Sequence, residues 1–255
     1  MKAVTFILFV AFLCASVSRA SAGTYVGTQV IVGQFSHEEQ VMASSQNLQF
    51  YGLYGLFELW HTERRFDLHA EGIPVWSPLK ISTQVGSSNR YAAVGVFDAV
   101  VHAAVDQHSR LWVGAGVVDF NDRIAGQVVT MGPFGGTIFL PVTAASHLSG
   151  ARYELRAVLP AGASSFAELQ LADMPSLKGV IHLQFDNPAF VAPDSPTTAS
   201  AFSTLAAYGW NRGKNQYLVG WRSTNYPVTL SSLGQFAFRN VIGGVYFESR
   251  FRIGR

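Results

Sequence analysis

Val245, Phe247, Phe251 and Ile253 share one parity at the C-terminal end of the chain, broken only by Ser249, while Tyr246, Glu248, Arg250 and Arg252 share the other. Period-two alternation of this length is a strand, because successive side chains leave opposite faces of a sheet. The same split recurs upstream. Phe66, Leu68 and Ala70 alternate with Arg65, Asp67, His69 and Glu71, and Tyr91, Ala93, Phe97, Val101 and Val105 oppose Arg90, Asp98 and His102. Tyr153, Leu155 and Leu159 oppose Arg152, Glu154 and Arg156, and Tyr217, Val219 and Trp221 oppose Gln216 and Arg222. Each strand therefore has one apolar face and one face of charged and small residues.

Two closures suit such strands. A soluble barrel or sandwich turns the apolar face inward; a membrane barrel turns it to lipid and lines its interior with the polar face. The chain is 49% hydrophobic and only 13% charged, yet residues 23–255 contain no apolar run long enough for a transmembrane helix. The polar faces carry much Gly and Ala, which would solvate an outer surface poorly. Lysine, the usual guard of a strand edge, occurs after the N-terminal segment only at Lys80, Lys178 and Lys214. Aromatics (Tyr25, Phe35, Tyr51, Trp60, Trp112, Tyr208, Trp210, Tyr217, Tyr226) fall near the expected strand ends, as in an interfacial girdle. These features favour the membrane closure.

The N-terminus reads as an export signal. Lys2 precedes an apolar run from Ala3 to Ser16, and Ala20-Ser21-Ala22 offers small residues for cleavage before Gly23. The expected organisation is thus a signal peptide over 1–22 and one barrel domain over 23–255. Cys14, the single cysteine, lies in the leader, so no disulfide or thiolate site is expected after cleavage. Lys2 and Arg19 lie there too; taking those two from the 18 basic residues leaves 16, against 16 acidic. A neutral chain gives no support for nucleic-acid binding.

Connections alternate in length. Tight turns are expected at 62–64, 106–109, 160–164 and 211–215, with longer links at 36–47, 74–88, 122–145 and 187–197 and a shorter one at 227–234. The result is an all-β, antiparallel up-and-down transmembrane β-barrel of about ten strands, with eight or twelve as the alternative even counts. The strands are expected at 24–36, 48–61, 65–73, 88–105, 110–120, 146–159, 164–186, 198–210, 215–227 and 235–254. The long seventh strand contains Pro175 but keeps its parity from Leu169 to Phe185, which implies a bulge or an extension beyond the bilayer.

Across residues 23–255 this pattern resembles the outer-membrane β-barrel superfamily. Its terminal strand shows the alternating hydrophobics of that superfamily, although it ends on Gly254-Arg255 and not on an aromatic. The resemblance implies a bacterial outer-membrane location, lipid around the wall and the barrel-assembly machinery as a partner.

With polar faces inward, the lumen would hold Glu58, Asp67, His69, Glu71, Asp98, His102, Arg152, Glu154, Arg156, Glu168, Arg222, Glu248, Arg250 and Arg252. In a barrel of about ten strands the interior is narrow and filled by side chains, and buried charges persist when paired. The expected role of this set is a structural ion-pair network, and the expected function is a structural barrel, or one binding a partner or ligand through its long loops. A narrow solute channel whose Arg and Glu ladders set selectivity is the alternative; a soluble exported barrel or sandwich around an apolar ligand is another. No catalytic, cofactor or metal site is expected. His37-Glu38-Glu39 and Ser146-His147 belong to no GxSxG or HExxH signature, and Gly132-Pro133-Phe134-Gly135-Gly136 lacks the lysine and helix of a phosphate loop. The apolar link around it is expected to act as a lid or plug.

Overall fold

The computed structural model describes the backbone at 23–39, 48–62, 65–83, 86–131, 135–189, 191–231 and 235–253, and side chains at 23–33, 59–62, 65–72, 95–123, 135–136, 141–189, 191–231 and 238–253. Ten strands account for most of it: β1 (Gly23–Glu39), β2 (Leu48–Thr62), β3 (Phe66–Thr83), β4 (Gly86–Ala104), β5 (Leu111–Met131), β6 (Thr137–Pro160), β7 (Ser165–Phe185), β8 (Ser195–Arg212), β9 (Asn215–Leu230) and β10 (Gln235–Ile253). Each pairs antiparallel with its sequence neighbour, and β1 closes on β10, from Thr24 opposite Ile253 to Glu39 opposite Phe238. Closure leaves no sheet edge around the ring. The two chain ends of the barrel lie with the short turns, Gly23 opposite Thr62 and Thr24 opposite Ile253.

Local chemistry sets the turns at that rim. Gly213 takes φ 64° between β8 and β9, where a Cβ would cost energy. Between β4 and β5, Asp106 accepts backbone N–H bonds from His108 (3.1 Å), Arg110 (2.7 Å) and Leu111 (2.8 Å), which holds Ser109 at φ 53°. The β7 bulge falls at Pro175-Ser176, where pairing with β8 skips from Met174 to Leu177; proline has no N–H to give to a ladder.

Two of the expected long links are strand. Residues 74–88 belong mostly to a β3–β4 ladder that runs to Thr83 opposite Gly86, and 122–145 to a β5–β6 ladder that runs to Met131 opposite Thr137. The apolar segment expected as a lid is therefore ladder as far as Met131 opposite Thr137, and residues 132–134 lie outside the described residues. Both hairpins outgrow the ring. The β2–β3 ladder stops at Phe57 opposite Gly72, β4–β5 at Ala92 opposite Ile124, and β6–β7 at Val142 opposite Phe185. Pro74 and Pro78 sit in β3 beyond its last pair with β2, where a missing N–H costs no second ladder.

Polarity changes sides along the wall. Near the short turns the outward face is apolar: Val113, Val117, Tyr153, Leu155, Leu169, Leu171, Phe247 and Phe251 are exposed while Arg156, Glu154, Glu168 and Glu248 are buried within. Farther along the same strands the outward residues are Asp119, Asn121, Arg123, Ser149, His147, Lys178 and His182, and the buried ones Val118, Phe120, Leu148, Leu177 and Ile181. One end is built like a membrane barrel, the other like a water-soluble one.

The expected aromatic girdle is only partly outside. Tyr208, Trp210 and Tyr217 form an outward cluster at the short-turn end of β8 and β9, with ring centres 6.5 and 5.9 Å apart. Trp60, Trp112 and Tyr226 point inward and are buried, because their parity matches the charged face.

Candidate functional site: the charged lumen

The lumen is crossed by ion pairs between strands that are not neighbours. Arg222 on β9 binds both carboxylate oxygens of Glu71 on β3. Arg152 on β6 reaches Asp98 on β4 at 2.9 Å and also bonds Glu154 on its own strand at 2.9 Å. Arg156 on β6 bonds Asp67 on β3 at 2.6 Å and Glu168 on β7 at 2.8 Å. Arg250 on β10 reaches the same Glu168 at 3.1 Å and contacts Glu248. The register explains the need for long arms: Glu71 stands directly opposite Asp98, and like charges so placed destabilise a sheet unless cations intervene. Arg222 arrives from β9 on the far wall and Arg152 from β6, two strands from Asp98, to do so.

Trp60 sits at the centre of the network. His69, its cross-strand neighbour, stacks on it with centroids 3.9 Å apart. The guanidinium carbons of Arg156 and Arg250 lie 4.3 and 4.4 Å from its ring centre, within the range of a cation–π contact. His102 Nε2 lies 2.7 Å from Glu154 Oε1 across the intervening β5. Gly114 makes this possible: it pairs with both His102 and Glu154, and a Cβ there would come within 2.4 Å of the His102 ring.

Of the fourteen residues expected in the lumen, twelve are buried: Asp67, His69, Glu71, Asp98, His102, Arg152, Glu154, Arg156, Glu168, Arg222, Glu248 and Arg250. The Glu58 side chain lies outside the described residues. Arg252 is half-buried at the open end of the barrel, opposite Tyr25, and has no ion pair among the described residues. Trp60, Gln29 and Gln170 were not expected. Gln29 bonds Arg222 at 3.3 Å and Gln170 bonds Glu154; their parity was the available signal, but neutral side chains do not stand out in a search for charge.

A second polar group was also missed because it lay in an expected loop. Asp122 accepts hydrogen bonds from Ser146 (3.3 Å), Tyr226 (2.8 Å) and Asn240 (2.9 Å) inside the apolar end. Ser146 and His147 are in β6, one facing in and the other out. On the outer wall His147 is 2.7 Å from Asp119 and His182 is 2.6 Å from Asp194. Among the described residues no group of His, Cys, Asp and Glu is arranged to hold a metal ion. The side chains of His37, Glu38 and Glu39 lie outside the described residues.

No protein-family model matches the chain, and no curated protein matches it in sequence. Among solved structures it is similar to the outer membrane protease OmpT from Escherichia coli, at 7% identity and a TM-score of 0.54, over 92% of this chain and 99% of that one. The toluene transporter TbuX from Ralstonia pickettii also matches, at 10% identity and a TM-score of 0.38 over 92% of this chain and 77% of its own. So does the P. putida toluene transporter TodX, at 9% and 0.38 over 94% and 92%. The likeness to OmpT shows the fold alone, a closed antiparallel β-barrel.

Proposed function

We propose that the protein is exported by a cleaved signal peptide over 1–22 and placed in the bacterial outer membrane by the barrel-assembly machinery. There it acts as a closed barrel that holds a binding surface at the membrane and passes no solute. The observation that carries this reading is the Trp60 sandwich. Arg156 and Arg250 lie over its ring, and Glu168 ties both guanidinium groups together across the lumen. Side chains so placed across a narrow barrel support a lumen that is filled rather than open.

The apolar outward belt is the lipid-facing surface in this reading, and the short turns face the periplasm. The β3–β4 and β5–β6 hairpins and the polar outer wall of β5–β7 form the surface offered to a partner outside the cell.

Planar-bilayer recording of the purified protein tests it. Current at leak level is expected at every voltage short of bilayer rupture, and discrete steps would replace the closed barrel by the narrow-channel alternative. Mass determination of the membrane-extracted chain is expected to show an N-terminus at Gly23.

A further inference from the structure

The short-turn end has a chemistry that the lumen network does not use. Arg65, Arg110, Arg212, Lys214 and Arg252 all stand there, and among the described residues none of their side chains has a hydrogen bond or ion pair. The described residues of the four short turns hold one acid, Asp106, and its oxygens are occupied by the backbone N–H groups of its own turn. The described residues of this mouth thus carry an excess of unpaired positive charge, and a field of one sign raises the local concentration of anions.

A cavity of about 480 Å³ opens inside that mouth, beneath the β4–β5, β6–β7 and β8–β9 turns. Its rim offers Ser109, Arg110, Ser164, Ser165 and Asn211, and its floor is Arg156 with Arg250. It adjoins a smaller cavity of about 190 Å³ that reaches Trp60. Arg156 gives Nε to Glu168 and Nη1 to Asp67, but Nη2 has no partner among the described residues. A guanidinium edge with a free N–H pair, an unpaired arginine above it and hydroxyl donors between them form an oxyanion receptor, since charge-assisted bonds from arginine suit phosphate and carboxylate oxygens.

We propose that this mouth is a binding site for a phosphate-bearing ligand, held between Arg110 at the rim and the free edge of Arg156 on the floor. The phosphate comes either from a free solute or from the headgroup of an inner-leaflet lipid. The site is independent of whether the outer hairpins bind a partner.

The test is calorimetric titration of inorganic phosphate into the purified barrel in a maltoside detergent at low ionic strength. One saturable site is expected. Arg110→Ala is expected to weaken it at least tenfold, whereas Lys214→Ala, outside the cavity lining, is expected to change it less than twofold; a heat-dependent gel shift shows that both variants are folded. Phosphatidylglycerol added to the micelles is expected to displace phosphate if the headgroup is the ligand, and to leave the titration unchanged if a solute is. Absence of saturable binding by the parent protein, or undiminished binding by Arg110→Ala, overturns the proposal.

Discussion

Arg222 and Glu71 grip one another across the lumen, with Nη1 2.6 Å from Oε2 and Nη2 on Oε1. Both are almost fully buried. Removing one partner of such a pair leaves an uncompensated charge, at a cost of about 3–5 kcal/mol, while replacing both by apolar residues of similar volume is close to neutral. Glu71→Ala is expected to lower unfolding free energy in detergent by about that amount, and Glu71→Leu with Arg222→Met to recover most of it. Denaturant titration followed by tryptophan fluorescence measures both. A single replacement costing under about 0.5 kcal/mol would show that the pair has no structural weight.

Val117 and Asp119 are successive outward residues of β5, and the belt ends between them. Tyr153 and Ser149 mark the same change on β6, and Leu171 and Asp173 on β7. If lipid covers the apolar part, position decides access to water. Residues 23–255 contain no cysteine, so single cysteines placed there can report directly. In liposomes, Asn121→Cys and His147→Cys are expected to react with a membrane-impermeant maleimide, and Val117→Cys and Leu155→Cys to be protected. Equal labelling at all four positions would contradict a bilayer edge at this level.

The alternation made the strands legible because every strand that crosses the charged half has one apolar face, and a period of two is a local property. Ten strands, the Pro175 bulge and twelve of the lumen residues follow from that parity. The parts of β3, β5 and β6 farthest from the short turns were not legible as strand for the same reason, whereas β4 was expected at 88–105 and runs from Gly86 to Ala104. There the sense of the faces reverses, as at Phe120 and Asn121, and prolines and glycines break the rhythm. Composition then looks like loop, although a two-stranded ladder continues beneath it. Which aromatics form a girdle was likewise not decided by nearness to strand ends: Trp60 and Trp210 both lie near the short turns, and parity alone separates the buried one from the exposed one. The cross-lumen partners depend on the curvature of the whole ring, which no local pattern contains.

Gly114 offers a test at one atom. Its missing side chain is the space through which His102 reaches Glu154, and a Cβ would stand 2.4 Å from the His102 ring and 2.8 Å from Val100. Gly114→Ala is expected to force the imidazole aside and to destabilise the barrel by about 1–3 kcal/mol, the usual cost of overpacking. Stability unchanged in thermal unfolding would mean that His102 has room to move and that its bond to Glu154 is dispensable.

Asp106 supplies a pH dependence outside the membrane-spanning strands. The Leu111 N–H holds its carboxyl below the usual carboxylate range, with the Arg110 and His108 amides adding to the effect. A folded-state value below the unfolded one means that the charged form is favoured by folding. The contribution is therefore complete above the ordinary carboxylate value and is lost as pH falls through the lower, folded value. Asp106→Ala removes the acceptor altogether, so the parent is expected to be the more stable at neutral pH, with the gap closing as the solution is acidified through that window. Paired unfolding curves of parent and variant across the acid range measure it. A gap that stays constant down to the lowest pH would show that the carboxylate does not hold the β4–β5 turn.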